Sequence, residues 1–393
     1  MSIVGDRSLP KSSGMSEGVT TLLQSSAHPG APSGEIDYRC DVVPAEVPRI
    51  VANNNVRGNS SRVDAPVRGA VDVARVGRGA VGDVAVGGSL LVATSFADNI
   101  VSLIDPATRT IQDVEIDGEP FAVVATEDRA YVAMSTAEFD GVAVVDLDCR
   151  TVIADYPLTS GVVALAVSPD GKRVFAGHSG TESVEVAVID VPGDRVDTIH
   201  IAAGAAISID ALAVDHTGRR LYVASTDEVG SQLVVVDTET ARVRGSVVIG
   251  APIRSLQLGP DNTAYVLTSD LRDRGELYVV DLVAGRVTGR YAVGDAPTQL
   301  VLSADGARAY IVDYNRVTVF CTLSNQIVDT VVPNVQPSCV AVSGDGSRLY
   351  VGDCAGNVST LSVNAPKPLL YSQFEATKSL PMAEVRQLES AGV

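Results

Sequence analysis

The sequence predicts an all-β protein: a seven-bladed β-propeller of four-stranded antiparallel blades, its ring closed by an N-terminal strand. Three observations lead there. A strand-like word recurs seven times, as LLVAT (90–94), AYVAM (130–134), VFAGH (174–178), LYVAS (221–225), AYVLT (264–268), AYIVD (309–313) and LYVGD (349–353). Its second residue falls at positions 91, 131, 175, 222, 265, 310 and 350, a period of 40 to 47 residues, and periods of that size mark stacked or radial repeats. The composition agrees, because the chain is 46% hydrophobic yet only 4% aromatic, with no Trp, and a Val- and Ala-rich apolar mass suits closely packed strands.

The companions of the marker word make each copy one supersecondary unit. A turn precedes it, as in SPDGKR (168–173), DHTGRR (215–220), GPDN (259–262), SADGAR (303–308) and SGDGSR (343–348). Asp-Gly and its equivalents supply the positive backbone angles of a hairpin. Before that turn stands an apolar strand: ALAVS, ALAVD, SLQLG, QLVLS and CVAVS in copies three to seven. After the marker comes a strand ending in Asp105, Asp146, Asp190, Asp237 or Asp281, with Cys321 at that place in copy six and Ser362 or Val363 in copy seven. Those aspartates are expected to cap the amides of the next turn. A fourth strand, such as GSVVIG or GRYAVG, closes the unit, and four strands per period is the pattern of a propeller blade.

Blades pack on both faces, so their strands are apolar on both sides, as LVVVD and VAVID are. Side chains must shrink where the blades converge on the axis, and Ala122, Ala164, Ala211, Ser255 and Cys339 are the small residues at that place. Copy seven lacks an outer strand of its own. The segment AVDVARV (70–76) aligns with the last strand of the other units, so the N-terminus is expected to complete blade seven; PLLYSQF (368–374) is the alternative for that place. The resulting division is a mostly disordered segment over 1–65, in which VPRIVA (47–52) lies on the propeller surface, a propeller over 66–375, and a C-terminal tail over 376–393 with a short helix.

Blades six and seven, with P..LVLSADGARAYIVDYN..VTVF and P.CVAVSGDGSRLYVGDCAGNVSTL, resemble the YVTN-type propellers, over about residues 70–363. The resemblance is strongest to an actinobacterial member and extends distantly to the lactonase-like propellers. It implies the fold, whereas propellers carry many unrelated activities. Lactonase-like relatives place acids, His and Arg at the channel mouth to polarise a ring ester. The comparable positions here are Asp83, Arg254 and Gln299, and no catalytic set aligns residue by residue.

Charge and motifs narrow the function further. The formal net charge is −18, with the excess in residues 69–393, and there is no basic run, so nucleic acid is not an expected partner. No stretch reaches the roughly 18 apolar residues of a membrane span, and no signal peptide follows Met1 or Met15, so a cytoplasmic monomer is expected, with envelope association as the variant. Five cysteines without C-x-x-C spacing read as reduced thiols. The four histidines stand apart, His28 in the N-terminal segment, His178 in the loop after a marker strand, His200 on an outer strand and His216 in a turn at the opposite end of its blade, so no metal site is expected, and no cofactor either. Gly77, Gly79 and Gly82 spell G-x-G-x-x-G with Asp105 further on, but strands follow instead of the helix that a dinucleotide site requires.

What varies among the copies is the loop from the marker strand to the third strand. These loops emerge at one end of the ring and gather Glu138, Asp140, His178, Glu182, Asp227, Glu228, Asp270, Arg272, Asp273, Arg274, Asp313, Arg316 and Asp353 on one rim. Such a rim suits a protein partner or polar ligand over the channel mouth, against the plainer reading of a solvated acidic face. The expectation is a non-enzymatic binding module that docks protein partners there, with a lactonase-like hydrolase as the alternative.

Overall fold

The computed structural model describes residues 70–158, 161–180, 183–204, 206–270 and 274–363. Within them, 28 strands form seven four-stranded antiparallel sheets, and the only helical element described is a 3₁₀ turn at Phe96–Asp98. The expected N-terminal segment, the strand at 368–374 and the C-terminal helix lie outside the described residues.

Local chemistry explains each blade. Where the inner strand turns into the marker strand, Gly171, Gly218, Gly306 and Gly346 have φ of 68°, 71°, 67° and 68°, and Asn262 has 53° in the same place of blade five, backbone that favours Gly and Asn. A hydroxyl–carboxylate contact fixes the turn in blades three, six and seven: Ser168 Oγ donates to Asp170 at 2.6 Å, and Ser303 and Ser343 donate to Asp305 and Asp345 at 2.5 Å. At the next turn the strand-ending aspartates accept amides as expected. Asp105 takes the N–H of Ala107 and Thr108, Asp146 that of Asp148 and Cys149, and Asp281 that of Val283 and Ala284. Backbone donors hold Asp105 and Asp146 below the usual carboxylate range.

Seven apolar clusters fill the seven spaces between neighbouring blades. The marker aromatics lie inside them: Tyr131, Phe175, Tyr222 and Tyr310 are almost wholly buried. Truncating one of them, such as Phe175, to Ala is expected to cost about 3–5 kcal/mol.

The ring closes as the sequence predicts. Ala70–Arg75 is the outermost strand of blade seven, antiparallel to Asn357–Ser362, with Arg75 opposite Asn357 and Ala70 opposite Leu361. Beyond that ladder, Val76 N–H donates to the Gly356 carbonyl at 2.8 Å. The seam cluster joins Val76, Val81 and Leu91 to Cys339, Tyr350 and Val358. The G-x-G-x-x-G look-alike is part of this seam. Its turn offers the Arg78 N–H, at 2.7 Å, to the carboxylate of Asp98, and Gly82 lies in the inner strand Val81–Gly87.

Two expectations change. His178 is not in a solvated loop: it lies in the strand Arg173–Ser179 and is 5% exposed. Cys149, Cys321 and Cys339 are free thiols, whereas Cys354, in the loop after Arg348–Asp353, is disulfide-bonded. The expectation of reduced thiols therefore does not extend to Cys354. No helix among the described residues is long and apolar enough to cross a membrane.

Candidate functional site

The seven inner strands share an irregularity that shapes the channel. Each has a register break against its marker strand within its first residues, between Val81 and Val84, Pro120 and Ala122, Val162 and Ala164, Ile209 and Ala211, Ile253 and Ser255, Pro297 and Gln299, and Pro337 and Cys339. A bulge places two residues against one and re-aims side chains. The bulged residues Phe121, Val163, Asp210, Arg254, Thr298 and Ser338, with Gly82 in blade one, therefore stand around the mouth at the long-loop end. The next residue inward is Asp83, Ala122, Ala164, Ala211, Ser255, Gln299 or Cys339.

Those inward residues clasp adjacent blades wherever they are polar. Asp83 Oδ2 accepts the N–H of Val123 in blade two at 3.1 Å. Ser255 Oγ accepts Leu300 N–H in blade six at 3.2 Å, and Gln299 Oε1 accepts Val340 N–H in blade seven at 2.6 Å. Gln299 Nε2 then donates to Asp83 Oδ1 at 2.9 Å. Blade seven separates their two blades, so this bond runs along the wall of the channel itself. Burial pushes the Asp83 carboxyl up to about 6, against the Val123 and Val84 amides and Gln299, which pull it down.

Asp210, which the sequence reading passed over, is the second perturbed acid of the mouth. Thr226 Oγ1 donates to it at 2.5 Å and Ser208 Oγ at 3.3 Å. Burial pushes it up to about 6, opposed by those hydroxyls and by the Arg254 guanidinium. Asp83, Arg254 and Gln299 thus do not form one set: Asp83 bonds Gln299, while Arg254 stands by Asp210. Aligning the inner strands on their bulges would have found Asp210, because it occupies the column that holds Phe121, Val163 and Arg254 in its neighbours.

The rim residues divide by what already holds them. Asp313 is 1% exposed and accepts Asp295 and Ala296 N–H and the Arg316 guanidinium. Asp353 is buried and accepts Ala355 and Asn357 N–H. Asp227 takes the Val229 and Gly230 amides of its own loop. Arg316 and Arg274 both reach Asp295, at 3.4 and 3.2 Å. Glu138 and Glu228 are exposed, and Asp140 and Asp270 are half-buried at strand ends. Glu182, Arg272 and Asp273 lie outside the described residues. In blade three, His178, Glu185 and His200 sit opposite one another across three strands. Glu185 lies 2.6 Å from His200 Nδ1 and 4.0 Å from His178 Nε2, and burial lowers the His178 pKa while Glu185 raises it. Among the described residues no group of three or more His, Cys, Asp or Glu is arranged to hold a metal ion.

Comparison with known proteins fixes the family. A seven-bladed beta-propeller protein of Mycolicibacterium smegmatis is 49% identical over 318 residues, covering 80% of this chain and 86% of that protein. Another, from Mycobacterium tuberculosis, is 30% identical over 324 residues, covering 72% and 82%. The chain belongs to this seven-bladed β-propeller family. No family model matches it. Among solved structures, Kuenenia stuttgartiensis hydrazine synthase aligns with a TM-score of 0.66 at 18% identity, covering 79% of this chain and 100% of that one, a likeness of fold alone. In this member of the seven-bladed β-propeller family, the long-loop end brings together a bulge-lined mouth, two carboxylates of raised pKa, and exposed apolar loop residues.

Proposed function

We propose that this propeller is a non-catalytic binding module that engages a protein partner at the long-loop end of the ring, over the channel mouth. The observation that carries the reading is the set of apolar side chains standing in solvent there. Val229, at the tip of the blade-four loop, is 96% exposed; Tyr314 in the blade-six loop is 52% exposed; Val332 and Val335, on the crossing from blade six to blade seven, are 69% and 37% exposed. Apolar anchors among charged loops are the usual makings of a docking face, and Glu138, Glu228 and Arg254 supply the charge around them. Asp313, Asp353 and Asp227 serve this face by holding its loops in shape.

The finer parts of the reading go with it: a YVTN-type repeat, a propeller spanning 66–375 that acts as a monomer, no nucleic-acid partner, and residence in the cytoplasm or at the envelope. The test is recovery of partners on the immobilised full chain, quantified by mass spectrometry, beside a Glu138→Lys, Glu228→Lys, Val229→Asp variant. Selective loss of particular proteins from the variant supports the reading, and an identical set overturns it. Ester or lactone turnover abolished by Arg254→Ala would put the hydrolase in its place.

A further inference from the structure

Three inner-strand amides are held by one device. The N–H groups of Val123, Leu300 and Val340 each donate to a side chain of the blade before: to Asp83 Oδ2 at 3.1 Å, to Ser255 Oγ at 3.2 Å and to Gln299 Oε1 at 2.6 Å. Gln299 adds a second bond, from Nε2 to Asp83 Oδ1 at 2.9 Å, and this one spans blade seven. Blades six, seven, one and two are thereby joined through two side chains, across the place where the N-terminal strand closes the ring. Blades two, three and four carry Ala122, Ala164 and Ala211 in the same position and cannot make such a link.

Every group bonded to the Asp83 carboxylate is a donor. Val84 N–H, at 2.9 Å, joins Gln299 Nε2 and Val123 N–H, and among the described residues no cation is paired with it. An ionised carboxylate accepts all three, whereas a neutral acid brings an O–H that needs an acceptor of its own. Of its partners, only the Gln299 side chain also carries an acceptor, and that oxygen is committed to Val340. Half a turn of the amide about its last torsion brings Oε1 to the acid and leaves Nε2 opposite the Val340 N–H, donor against donor. We infer that Asp83 and Gln299 form a proton-released latch: ionised Asp83 holds Gln299 across blade seven, and protonation turns the amide and releases the Val340 N–H to the channel. Burial pushes the Asp83 carboxyl up to about 6, so the change is centred near that pH. The titratable group facing it is the Cys339 thiol on the strand Pro337–Val342; burial, and then the Asp83 charge, push that thiol well up, so it stays neutral over the range. Asp353, the other carboxylate acting on the thiol, is held by the Ala355 and Asn357 amides. The Ser338 hydroxyl, which donates to the Val81 carbonyl at 2.7 Å, does not titrate and keeps blades seven and one together in both states.

Amide hydrogen exchange of the intact chain reads the latch, and Leu300 is the internal control, because its amide is accepted by a hydroxyl that does not titrate. Protection factors, which remove the intrinsic pH dependence of exchange, are measured by NMR at pH 7.5 and 5.0. Asp83 is about 3% protonated at the first and about 90% at the second. The Val340 amide is therefore expected to lose about tenfold of its protection or more at pH 5.0, while Leu300 keeps its own. In Asp83→Asn, which cannot ionise, Val340 should be equally protected at both pH values; circular dichroism and the melting temperature check that the variant is folded. Val340 protection that is independent of pH in the wild type, an equal loss at Leu300, or a loss that persists in folded Asp83→Asn overturns the latch. The comparison of Val340 with Leu300 in the wild type decides the matter by itself if the variant does not fold.

Discussion

Asp83 makes the channel wall sensitive to pH, and replacing it with Asn isolates the effect. Its pKa rises from 3.8 to about 6 on folding, close to 2 units, and at 1.36 kcal/mol per unit this amounts to about 3 kcal/mol. The direction follows from which state holds the proton more tightly. The folded chain does, so the stabilising contribution is fully present below pH 4 and is lost as pH rises through about 6. About 2 of those 3 kcal/mol fall between pH 4.5 and 7.5. Asn cannot ionise, and its own packing cost is the same at both pH values, so it cancels in the comparison. Urea unfolding of wild type and Asp83→Asn at the two pH values should show the variant gaining about 2 kcal/mol relative to wild type on going to pH 7.5. A difference that stays constant within about 0.5 kcal/mol, or one that grows in favour of wild type as pH rises, would refute burial as the dominant influence on this carboxyl.

Two further outcomes concern the seam. Gly356 has φ of 85°, and a Cβ there would meet the Gly77 carbonyl, so Gly356→Ala should cost about 1–3 kcal/mol; Gly344→Ala, with open space around it, serves as the control, and equal melting temperatures for the two variants would contradict the seam geometry. Deleting residues 1–77 removes the strand Ala70–Arg75 and bares the edge of Asn357–Ser362. Lower melting temperature and concentration-dependent association by light scattering are expected of an uncovered edge, and unchanged stability would count against ring closure by this strand.

The repeat made the fold legible because the same physical requirements recur seven times. Turn residues, buried aromatics and strand-ending aspartates each answer a local need, so they survive as local words. The mouth was less legible. Ala122, Ala164 and Ala211 were recognisable as axis residues by size, but the bulges that pair each with Phe121, Val163 and Asp210 are a matter of register, which a short apolar word does not encode. His178 and His200 lie 22 positions apart in sequence, and only the pairing of three strands brings both beside Glu185. The rim acids misled in the other direction. Asp227, Asp313 and Asp353 look like a charged face in sequence, yet Asp227 and Asp353 are engaged in shaping their own loops and Asp313 in holding the crossing at Asp295 and Ala296.

The ladder between Ala70–Arg75 and Asn357–Ser362 also sets a timetable for the newborn chain. Its partners are separated by nearly the whole ring, with Ala70 opposite Leu361, so blade seven stays incomplete until ribosomal synthesis has passed the last blade. Six blades can collapse in order as they emerge, while the early strand waits with both edges uncovered. Loop closure over such a span is slow relative to hairpin formation, and domains emerge at about 5–20 residues per second. Assembly therefore ends on a single late event, and a circularly permuted chain that begins at Pro337 and carries its own covering strand downstream would be freed from that wait.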